Sequence, residues 1–231
     1  MGKQIICVIP ARGGSKRVPN KNILPLGGKP LVVHSIEQAK QSQLISRIIV
    51  STNDPRIAEI SKKSGAEVII RPENISGDKA TSESAIQHCI KEVENGGFFP
   101  DLIVFLQCTS PIRNPGDIDA AIEKLYSENA DSLLSVCSNE RFLWRPVAGN
   151  MQPVNYDYLK RPRDQDHPEE YAENGSMYIF KPEVMRKNGN RLGGKIAVYQ
   201  MDYWSSFQVD SMEDYELCEW IYQKKQKLAG I

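Results

Sequence analysis

The chain has 231 residues, and its 29 Lys and Arg balance 29 Asp and Glu. This length allows one substantial domain and is too short for two, so we expect a single domain over residues 1–231. A formal net charge of zero gives no general attraction to nucleic acid or to an anionic membrane. Any anion-binding site must therefore be local.

Cysteine usage and the apolar segments bear on the cellular compartment. The five cysteines are widely spaced and contain no CxxC pair, which disfavours a disulfide framework or a zinc site. The apolar opening from Ile5 to Ile9 is too short for the core of a signal peptide, and no later run is as long as a membrane span. We therefore expect a cytoplasmic protein that is not attached to a membrane.

Short apolar runs alternate with longer segments of helical period through residue 136. This alternation indicates an α/β fold made of βαβ units around a mainly parallel sheet flanked by helices. The predicted strands are Ile5–Ile9, Arg47–Ser51, Glu67–Ile70, Leu102–Gln107 and Ser132–Val136. The predicted helices are Leu31–Ser42, Pro55–Ser64, Ser82–Val93 and Gly116–Ser127. Thr81 or Ser82 would cap the third helix, and Asn114 the fourth.

The regular alternation stops after Val136. Residues 138–173 are polar and proline-containing, and basic side chains there lie among aromatic ones. Such a long insertion is usually a functional loop or an oligomerisation arm, and the aromatics favour a surface that packs on a second copy of the chain. We expect a dimerisation arm here, followed by strands and a closing helix at Gly175–Phe180, Lys195–Met201, Phe207–Val209 and Met212–Lys227.

The segment PARGGSKRVPNKN, residues 10–22, directly follows the first predicted strand and contains four cations and no acid. Ligands of open α/β sheets bind at the carboxyl ends of the strands, where a glycine pair lets backbone N–H groups approach a phosphate. Four cations suit a triphosphate, although a solvated basic turn remains the alternative. The segment matches neither GxxxxGK[ST] nor GxGxxG, which disfavours a P-loop ATPase or a dinucleotide-binding dehydrogenase.

The same segment closely resembles the opening motif of the acylneuraminate cytidylyltransferases, the CMP-sialic acid synthetases and their relatives. Four further segments resemble motifs of that family, in the family's order. They are IIVST at 48–52, Arg71-Pro72 with Thr81-Ser82, LQCTSPIR at 106–113, and RPRDQD at 161–166 with ENGSMY at 173–178. Five motifs in one order over about two hundred residues are far more specific than any one of them.

The resemblance implies a Rossmann-like fold and a set of site residues. Arg12 and Lys21 would contact the phosphates, and Arg163 would reach the partner subunit's site. The substrate-binding residues would be Ala11, Ser15 and Lys16 in the loop, Asn22, Arg71 and Ser82 at cytosine or its ribose, and Gln107 and Asn174 on the sugar side. From position alone, Arg71 would be a surface ion-pair residue, and Gln107 could equally be a strand-end cap.

A metal site is also implied by the resemblance, with one departure from the family's pattern. Relatives carry an Asp-x-Asp pair for Mg²⁺ before the last helix, whereas this chain has Gln208-Val209-Asp210. Glutamine offers an oxygen without a charge, so Asp210 is the metal candidate and Gln208 is doubtful. Asp210 would also fit the N-cap of the last helix, with Glu213 as the acid of a capping box.

The function implied is a cytidylyltransferase that joins CMP from CTP to the anomeric hydroxyl of a nine-carbon, sialic-acid-like keto sugar acid and releases pyrophosphate. The expected assembly is a homodimer with sites completed by the partner subunit. One alternative is the same chemistry on another acceptor, such as Kdo or a phosphonate. The other is a non-catalytic nucleotide-binding relative, which the loss of one carboxylate at Gln208 makes conceivable.

Overall fold

The computed structural model describes residues 2–166 and 168–229, in which strands and helices alternate along most of the chain. The strands are β1 (Ile5–Pro10), β2 (Pro25–Leu26), β3 (Lys29–Pro30), β4 (Arg47–Thr52), β5 (Glu67–Ile70), β6 (Leu102–Leu106), β7 (Ser132–Ser138), β8 (Trp144–Val147), β9 (Asn150–Pro153), β10 (Tyr171–Phe180) and β11 (Ile196–Gln200). The α-helices are α1 (Leu31–Gln41), α2 (Pro55–Lys63), α3 (Ser82–Asn95), α4 (Asp117–Ser127), α5 (Pro182–Asn188) and α6 (Met212–Ala229).

Seven of these strands form the central sheet, in the order β11-β7-β10-β6-β1-β4-β5. β1 pairs in parallel with both β4 and β6, whereas β10 lies antiparallel between β6 and β7. The chain runs from β1 outward to β4 and β5, then returns to β6 on the other side of β1. Such a reversal opens a crevice at the carboxyl ends of the two central strands. The loops that follow β1 and β6 share this crevice, and the predicted mainly parallel Rossmann-like sheet is confirmed.

Both faces of the sheet are buried. In β1, Ile5, Cys7 and Ile9 belong to a core shared with α1, α2 and α4, whereas Ile6 and Val8 belong to a second core shared with α3 and α5. Alternate side chains of a strand point to opposite faces, and strands covered by helices on both sides are apolar throughout. The uninterrupted apolar runs that predicted β1 and β6 therefore reflect their central position.

The predicted elements up to residue 136 are confirmed, with ends that differ by at most two residues. The hydroxyl of Thr81 caps α3 by accepting a hydrogen bond from the backbone N–H of Ser84 (3.2 Å). The predicted cap of α4 is wrong, because Gly116, with φ of 87°, occupies the N-cap position. Asn114 instead turns its side chain away and donates to Asp202 (3.0 Å).

The second half of the chain departs further from prediction. Phe207–Val209 is not a strand, because the N–H of Val209 donates to the loop carbonyl of Thr109 (2.7 Å) rather than to a neighbouring strand. β10 begins at Tyr171, inside the range predicted for the arm, and the short helix α5 was not predicted. The insertion itself contains a hairpin formed by β8 and β9.

The start of α6 also differs from the predicted capping box. Ser211, not Asp210, provides the capping hydroxyl, which accepts from the N–H of Asp214 (3.1 Å). The carboxylate of Asp214 accepts from the N–H groups of Ser211 (2.8 Å) and Asp210 (3.0 Å). The predicted pair of Asp210 and Glu213 is therefore wrong by one residue, which leaves the Asp210 side chain available for another contact.

All five cysteines are buried and unpaired. Burial raises the pKa of each of these thiols, including Cys108 to about 12 and Cys89 to about 11. None of the described helices combines the length and the apolar character needed to cross a membrane.

Asp202 ties α6 to two loops. Its carboxylate accepts hydrogen bonds from Lys225 Nζ (2.8 Å), Asn114 Nδ2 (3.0 Å) and the N–H of Ser205 (3.0 Å). Burial alone would raise the pKa of this carboxyl, but the bonds from Lys225, Asn114 and Ser205 outweigh it and lower the pKa to about 2.

We predict that Asp202→Ala lowers the free energy of unfolding by about 1 kcal/mol at neutral pH. The substitution removes the carboxylate that caps the 3-10 turn Tyr203–Ser206 and the partly exposed ion pair with Lys225. A depressed folded-state pKa stabilises the fold above the unfolded pKa, and this stabilisation is lost as the pH falls toward about 2. Urea unfolding of both proteins at about pH 7 and about pH 3 measures the difference. This difference in the free energy of unfolding should shrink at the lower pH, and an equal difference at both pH values would contradict the assignment. The control is Glu123→Ala, at an exposed position of α4.

Candidate functional site

Ser51, near the end of β4, is the centre of a network that fixes the start of the basic loop. Its carbonyl accepts from the N–H of Ala11 (2.9 Å) and from Arg71 Nη2 (2.9 Å), and its hydroxyl accepts from Arg71 Nε (3.2 Å). Arg71 is only 5% exposed, and no acidic side chain pairs with it in the described part of the chain. Burial lowers the pKa of its guanidinium. A buried cation without an acid favours an anionic or strongly polar ligand beside it.

Asn22 joins this network from the other side. It lies in a 3-10 turn, Lys21–Ile23, and its amide donates to the carbonyl of Arg12 (2.9 Å). Its side chain is largely buried, and the amide oxygen has no partner among the described residues. We call Ala11, Arg12, Asn22, Ser51 and Arg71 the β1–β4 cluster. Four of its members are residues that the sequence predicted for nucleotide binding.

A second group lies where β6 ends beside β10. Gln107 Nε2 donates to the carbonyl of Gly175 (2.6 Å), and Gln208 Nε2 donates to the carbonyl of Asn174 (2.8 Å). We call these four residues the β6–β10 cluster. The amide oxygens of both glutamines have no partner in the described parts of the chain, so each can accept a hydrogen bond from a ligand.

Gly175 makes this arrangement possible. Its φ is 62°, a left-handed conformation that favours glycine. A Cβ there would lie 2.8 Å from the Gln208 amide nitrogen and 2.9 Å from that of Gln107. Glycine is thus favoured at position 175 both by the left-handed backbone conformation and by the lack of space for a Cβ between the two glutamine side chains. An isolated glycine inside a strand pattern is a recognised sign of such close approach.

Asn174 differs from Asn22 and Gln107 because both the oxygen and the nitrogen of its side-chain amide are bonded within the fold. Its oxygen accepts from Ser135 Oγ (2.6 Å) and from the N–H of Ser176 (3.1 Å), and its nitrogen donates to the carbonyl of Ser205 (3.2 Å). The residue is 2% exposed. Its amide therefore holds the irregular start of β10 in place, and only its backbone carbonyl faces Gln208.

Lys21 connects the two clusters. Its Nζ donates to the carbonyl of Val209 (2.9 Å) and to Asp210 Oδ1 (2.8 Å). Lys21 precedes Asn22 of one cluster, and Val209 follows Gln208 of the other, so this contact joins both. The lysine side chain is 14% exposed, whereas that of Asp210 is 55% exposed. One face of the ion pair is therefore open to solvent.

The cations of the basic loop have counter-ions that the sequence did not reveal. Arg12 Nη1 pairs with Asp78 Oδ1 (3.2 Å), and Lys16 pairs with the other oxygen of the same carboxylate. Together with Lys21 and Asp210, three of the four cations are paired, which corrects the expectation of an uncompensated loop. Arg17 makes no ion pair with the residues that the structure describes.

The remaining predicted residues lie farther from these contacts. Ser15 is partly buried within the basic loop, and Ser82 is the first residue of α3. Arg163 lies in the insertion, where it pairs with Asp166 (2.6 Å), and its side chain is 73% exposed. Within one chain, no described contact joins Arg163 to either cluster.

Arg113 supports the second cluster and was not predicted as a site residue. Its Nη2 donates to the carbonyls of Ser176 (2.7 Å) and Gln107 (2.9 Å), and its Nη1 donates to Gln38 Oε1 (2.7 Å). Burial lowers the pKa of this guanidinium to about 10. A single buried cation thus ties the end of β6 and the bend in β10 to helix α1.

Asp210 is the best candidate for a metal ligand. Its second carboxylate oxygen has no partner among the described residues, and Gln208 offers an amide oxygen two positions earlier. Over residues 2–166 and 168–229, no three His, Cys, Asp or Glu side chains come together as a complete metal site. Mg²⁺ in nucleotide sites usually takes one or two carboxylates and completes its shell with water and phosphate. The residues present fit an ion of that kind, shared with a triphosphate.

We predict that Gly175→Ala lowers the free energy of unfolding by about 1–3 kcal/mol, because alanine is strained at this φ and its Cβ would displace two glutamine amides. Urea unfolding measures the loss. Gly77→Ala is the matched control, since its added Cβ would meet nothing within 4 Å and its φ is not positive. Equal stability of the two variants would contradict the close packing at Gly175.

Three named relatives match nearly the whole of this chain, but the chain covers different shares of their own lengths. It is 33% identical over 94% of its length to N-acylneuraminate cytidylyltransferase A of Danio rerio and 34% identical over 98% to N-acylneuraminate cytidylyltransferase of Escherichia coli. The chain spans about half the length of these two relatives, 50% and 54% respectively. Pseudaminic acid cytidylyltransferase of Campylobacter jejuni is 29% identical, and the match covers 97% of this chain and 98% of that protein.

Solved structures agree on the fold. CMP:2-keto-3-deoxy-manno-octonic acid synthetase, solved as a CTP complex, superposes with a TM-score of 0.73 at 18% identity, over 96% of this chain and all of that chain. A 4-diphosphocytidyl-2C-methyl-D-erythritol synthase superposes with a TM-score of 0.71 at 12% identity, over 96% of this chain and 99% of that chain. The family model described as cytidylyltransferase matches residues 6–230. The chain belongs to the cytidylyltransferase family.

Proposed function

We propose that this protein transfers CMP from CTP to the anomeric hydroxyl of a sialic-acid-like, nine-carbon keto sugar acid and releases pyrophosphate. The observation that carries the proposal is the contact of Lys21 with Val209 and Asp210. It brings a cationic glycine loop and two glutamine amides to one crevice, in a chain whose relatives include N-acylneuraminate and pseudaminic acid cytidylyltransferases.

Each cluster has a role in this reaction. Arg12, Lys16 and Lys21 would bind the triphosphate, and their charges would stabilise the departing pyrophosphate. Asn22 and Arg71, with Ala11 and Ser15 in the loop and Ser82 at the start of α3, would select cytosine and its ribose, which present both donors and acceptors. The unpaired oxygen of Gln107 would accept a hydrogen bond from a sugar hydroxyl. Positioning of the two substrates would then supply much of the rate.

Mg²⁺ is the cofactor that this proposal requires. Asp210 would hold it, with the phosphates of CTP and water, and Gln208 could contribute its amide oxygen. When bound, the ion would neutralise phosphate charge and make the acceptor hydroxyl more acidic. Asp210 would at the same time keep Lys21 in place through their ion pair.

The acceptor is the least constrained part of the proposal. Kdo or a phosphonate would undergo the same chemistry, and the neutral Gln208 also leaves open a relative that binds nucleotide without turnover. The intact cation set of the basic loop favours turnover. The unpaired cysteines favour a reducing compartment, and we therefore place the reaction in the cytoplasm.

The first experiment measures pyrophosphate release from each of the four nucleoside triphosphates, with Mg²⁺ or with EDTA. The acceptors are N-acetylneuraminate, KDN, Kdo, legionaminate and pseudaminate. We expect release only with CTP, Mg²⁺ and a nine-carbon acid, and we expect Lys21→Met to lower kcat/KM for CTP by about 10²-fold or more, because it removes a preorganised cation from the phosphates.

Lys62→Met, on the exposed side of α2, is the control and should keep wild-type activity. Release with Kdo alone would move the proposal to that acceptor. CTP binding without release from any acceptor would favour the non-catalytic alternative, and absence of CTP binding would reject both.

We further propose that the protein is a homodimer that contacts its copy through the insertion. Large apolar side chains are exposed there, including Leu159 at 77%, Met151 at 58% and Tyr158 at 56%. Exposed apolar clusters of this kind commonly mark interaction surfaces. Arg163 lies on the same insertion and would complete the partner subunit's site, where its planar guanidinium can pair with a carboxylate or phosphate.

Mixed dimers test this arrangement. Arg163→Ala and Lys21→Met should each be nearly inactive, because each removes one residue from both sites of its homodimer. Co-expression of the two should restore about a quarter of wild-type activity, since half of the dimers would be mixed and one of their two sites would be intact. The readout is pyrophosphate release by the co-purified sample. Co-expression of Lys21→Met with the double variant Lys21→Met/Arg163→Ala leaves no intact site in any dimer and shows the level without complementation. No recovery above the single variants would contradict a shared site.

A further inference from the structure

Asp78 bridges two cations of the glycine-rich loop from a distant part of the sequence. One carboxylate oxygen pairs with Arg12 Nη1 (3.2 Å), and the other pairs with Lys16 Nζ. Arg12 Nη1 also donates to the carbonyl of Gly77 (3.0 Å), across a separation of 65 residues. The two cations thus hold both the side chain of Asp78 and the backbone beside it.

Residues 76–80, which we call the strap, connect two fixed points. Upstream, the hydroxyl of Ser76 donates to the carbonyl of Pro72 (2.7 Å), next to the buried Arg71. Downstream, Thr81 caps α3. Between these two points, the strap is bonded to distant parts of the described chain only through Gly77 and Asp78. Both residues contact Arg12, and Asp78 also contacts Lys16. The strap could therefore move away from the loop without disturbing either anchor.

A cavity of about 340 Å³ lies between the strap, the glycine loop and the start of α2. Arg12, Gly13, Gly14, Ser76 and Asp78 contribute to its lining. The carboxylate of Asp78 therefore lies at the Arg12 side of this cavity, beside the glycine pair. The second acid of the lining, Asp54, is bonded to Arg56 instead. An anionic ligand that binds Arg12 and Lys16 must compete with it.

The ion pairs of Asp78 are well suited to exchange. The side chains of Arg12, Lys16 and Asp78 are 33%, 76% and 49% exposed, and exposed pairs contribute at most about 1 kcal/mol each. A triphosphate brings several charges to the same two cations and therefore outcompetes one carboxylate. The hydrogen bond from Lys16, followed by that from Arg12, lowers the pKa of Asp78, so the competitor stays charged at neutral pH.

We infer that Asp78 is a displaceable counter-anion of the triphosphate site, which closes the strap over Arg12 and Lys16 in the free chain and pairs with them again as pyrophosphate leaves. This inference rests on the proposed function. Asp78 acts through the two loop cations and takes no part in bond making. Its effect is to weaken the binding of every polyphosphate, including the product, so that pyrophosphate does not remain on the loop.

Calorimetric titration of the whole chain with inorganic pyrophosphate, and separately with CTP, tests the inference. Asp78→Asn should bind both ligands about three- to tenfold more tightly, the factor expected when one or two exposed ion pairs no longer have to be broken. Asp78→Ser, which removes the charge with a smaller side chain, should show the same gain. Asp78→Glu keeps the charge and should remain near wild type.

Glu73→Gln is the matched control, because Glu73 is an exposed acid of the same connection and its carboxylate makes no bond with the described residues. It should leave both affinities unchanged. A purely structural role for Asp78 would weaken binding in both Asp78→Asn and Asp78→Ser, and unchanged or weaker binding in these variants overturns the inference. If wild-type protein binds pyrophosphate but not CTP, the proposed function fails while the test of Asp78 still stands.

Discussion

The contact of Lys21 with Val209 and Asp210 is the interaction on which the site depends. It spans nearly the whole sequence, with separations of 188 and 189 residues, and it is the point where the loop after β1 meets the segment before α6. Because Lys21 is largely buried there, its charge requires a compensating group, and Asp210 supplies it. The same pair leaves one carboxylate oxygen free. Asp210 is therefore both the partner of Lys21 in a structural ion pair and the candidate metal ligand.

Around this contact the site is built from buried polar groups whose partners are mostly backbone carbonyls. Arg71 is held by Ser51, and Arg113 is held by Gln107 and Ser176. Neither guanidinium pairs with an acid in the described parts of the chain. Most buried polar groups are hydrogen-bonded, and carbonyl partners satisfy much of these two guanidinium groups without cancelling their positive charge. The crevice therefore keeps a positive potential that suits an anionic nucleotide.

Much of the fold could be predicted because its signals are local. Central parallel strands are apolar at every position, and the helices that cover them have a regular period, so the elements before residue 136 were placed almost to the residue. The later errors have a common cause. Phe207–Val209 has the composition of a strand, but the N–H of Val209 bonds to a loop carbonyl. The capping box of α6 is formed by Ser211 and Asp214 rather than by Asp210 and Glu213. Tertiary contacts decided both outcomes.

The sequence by itself determined the class of the fold, the family and the cationic loop, because periodicity and short motifs are properties of neighbouring residues. Only the tertiary structure decided which charges meet. Asp78 and Asp210 pair with three of the four cations of a loop that contains no acid of its own, at separations that include 66 and 189 residues, and no local pattern encodes such distances. Likewise, the motif that contains Asn174 and Gly175 indicated a site, but packing assigned the Asn174 amide to the interior and placed Gly175 between two glutamines. Side-chain roles depend on burial and on partners, and the chain acquires both only when it folds.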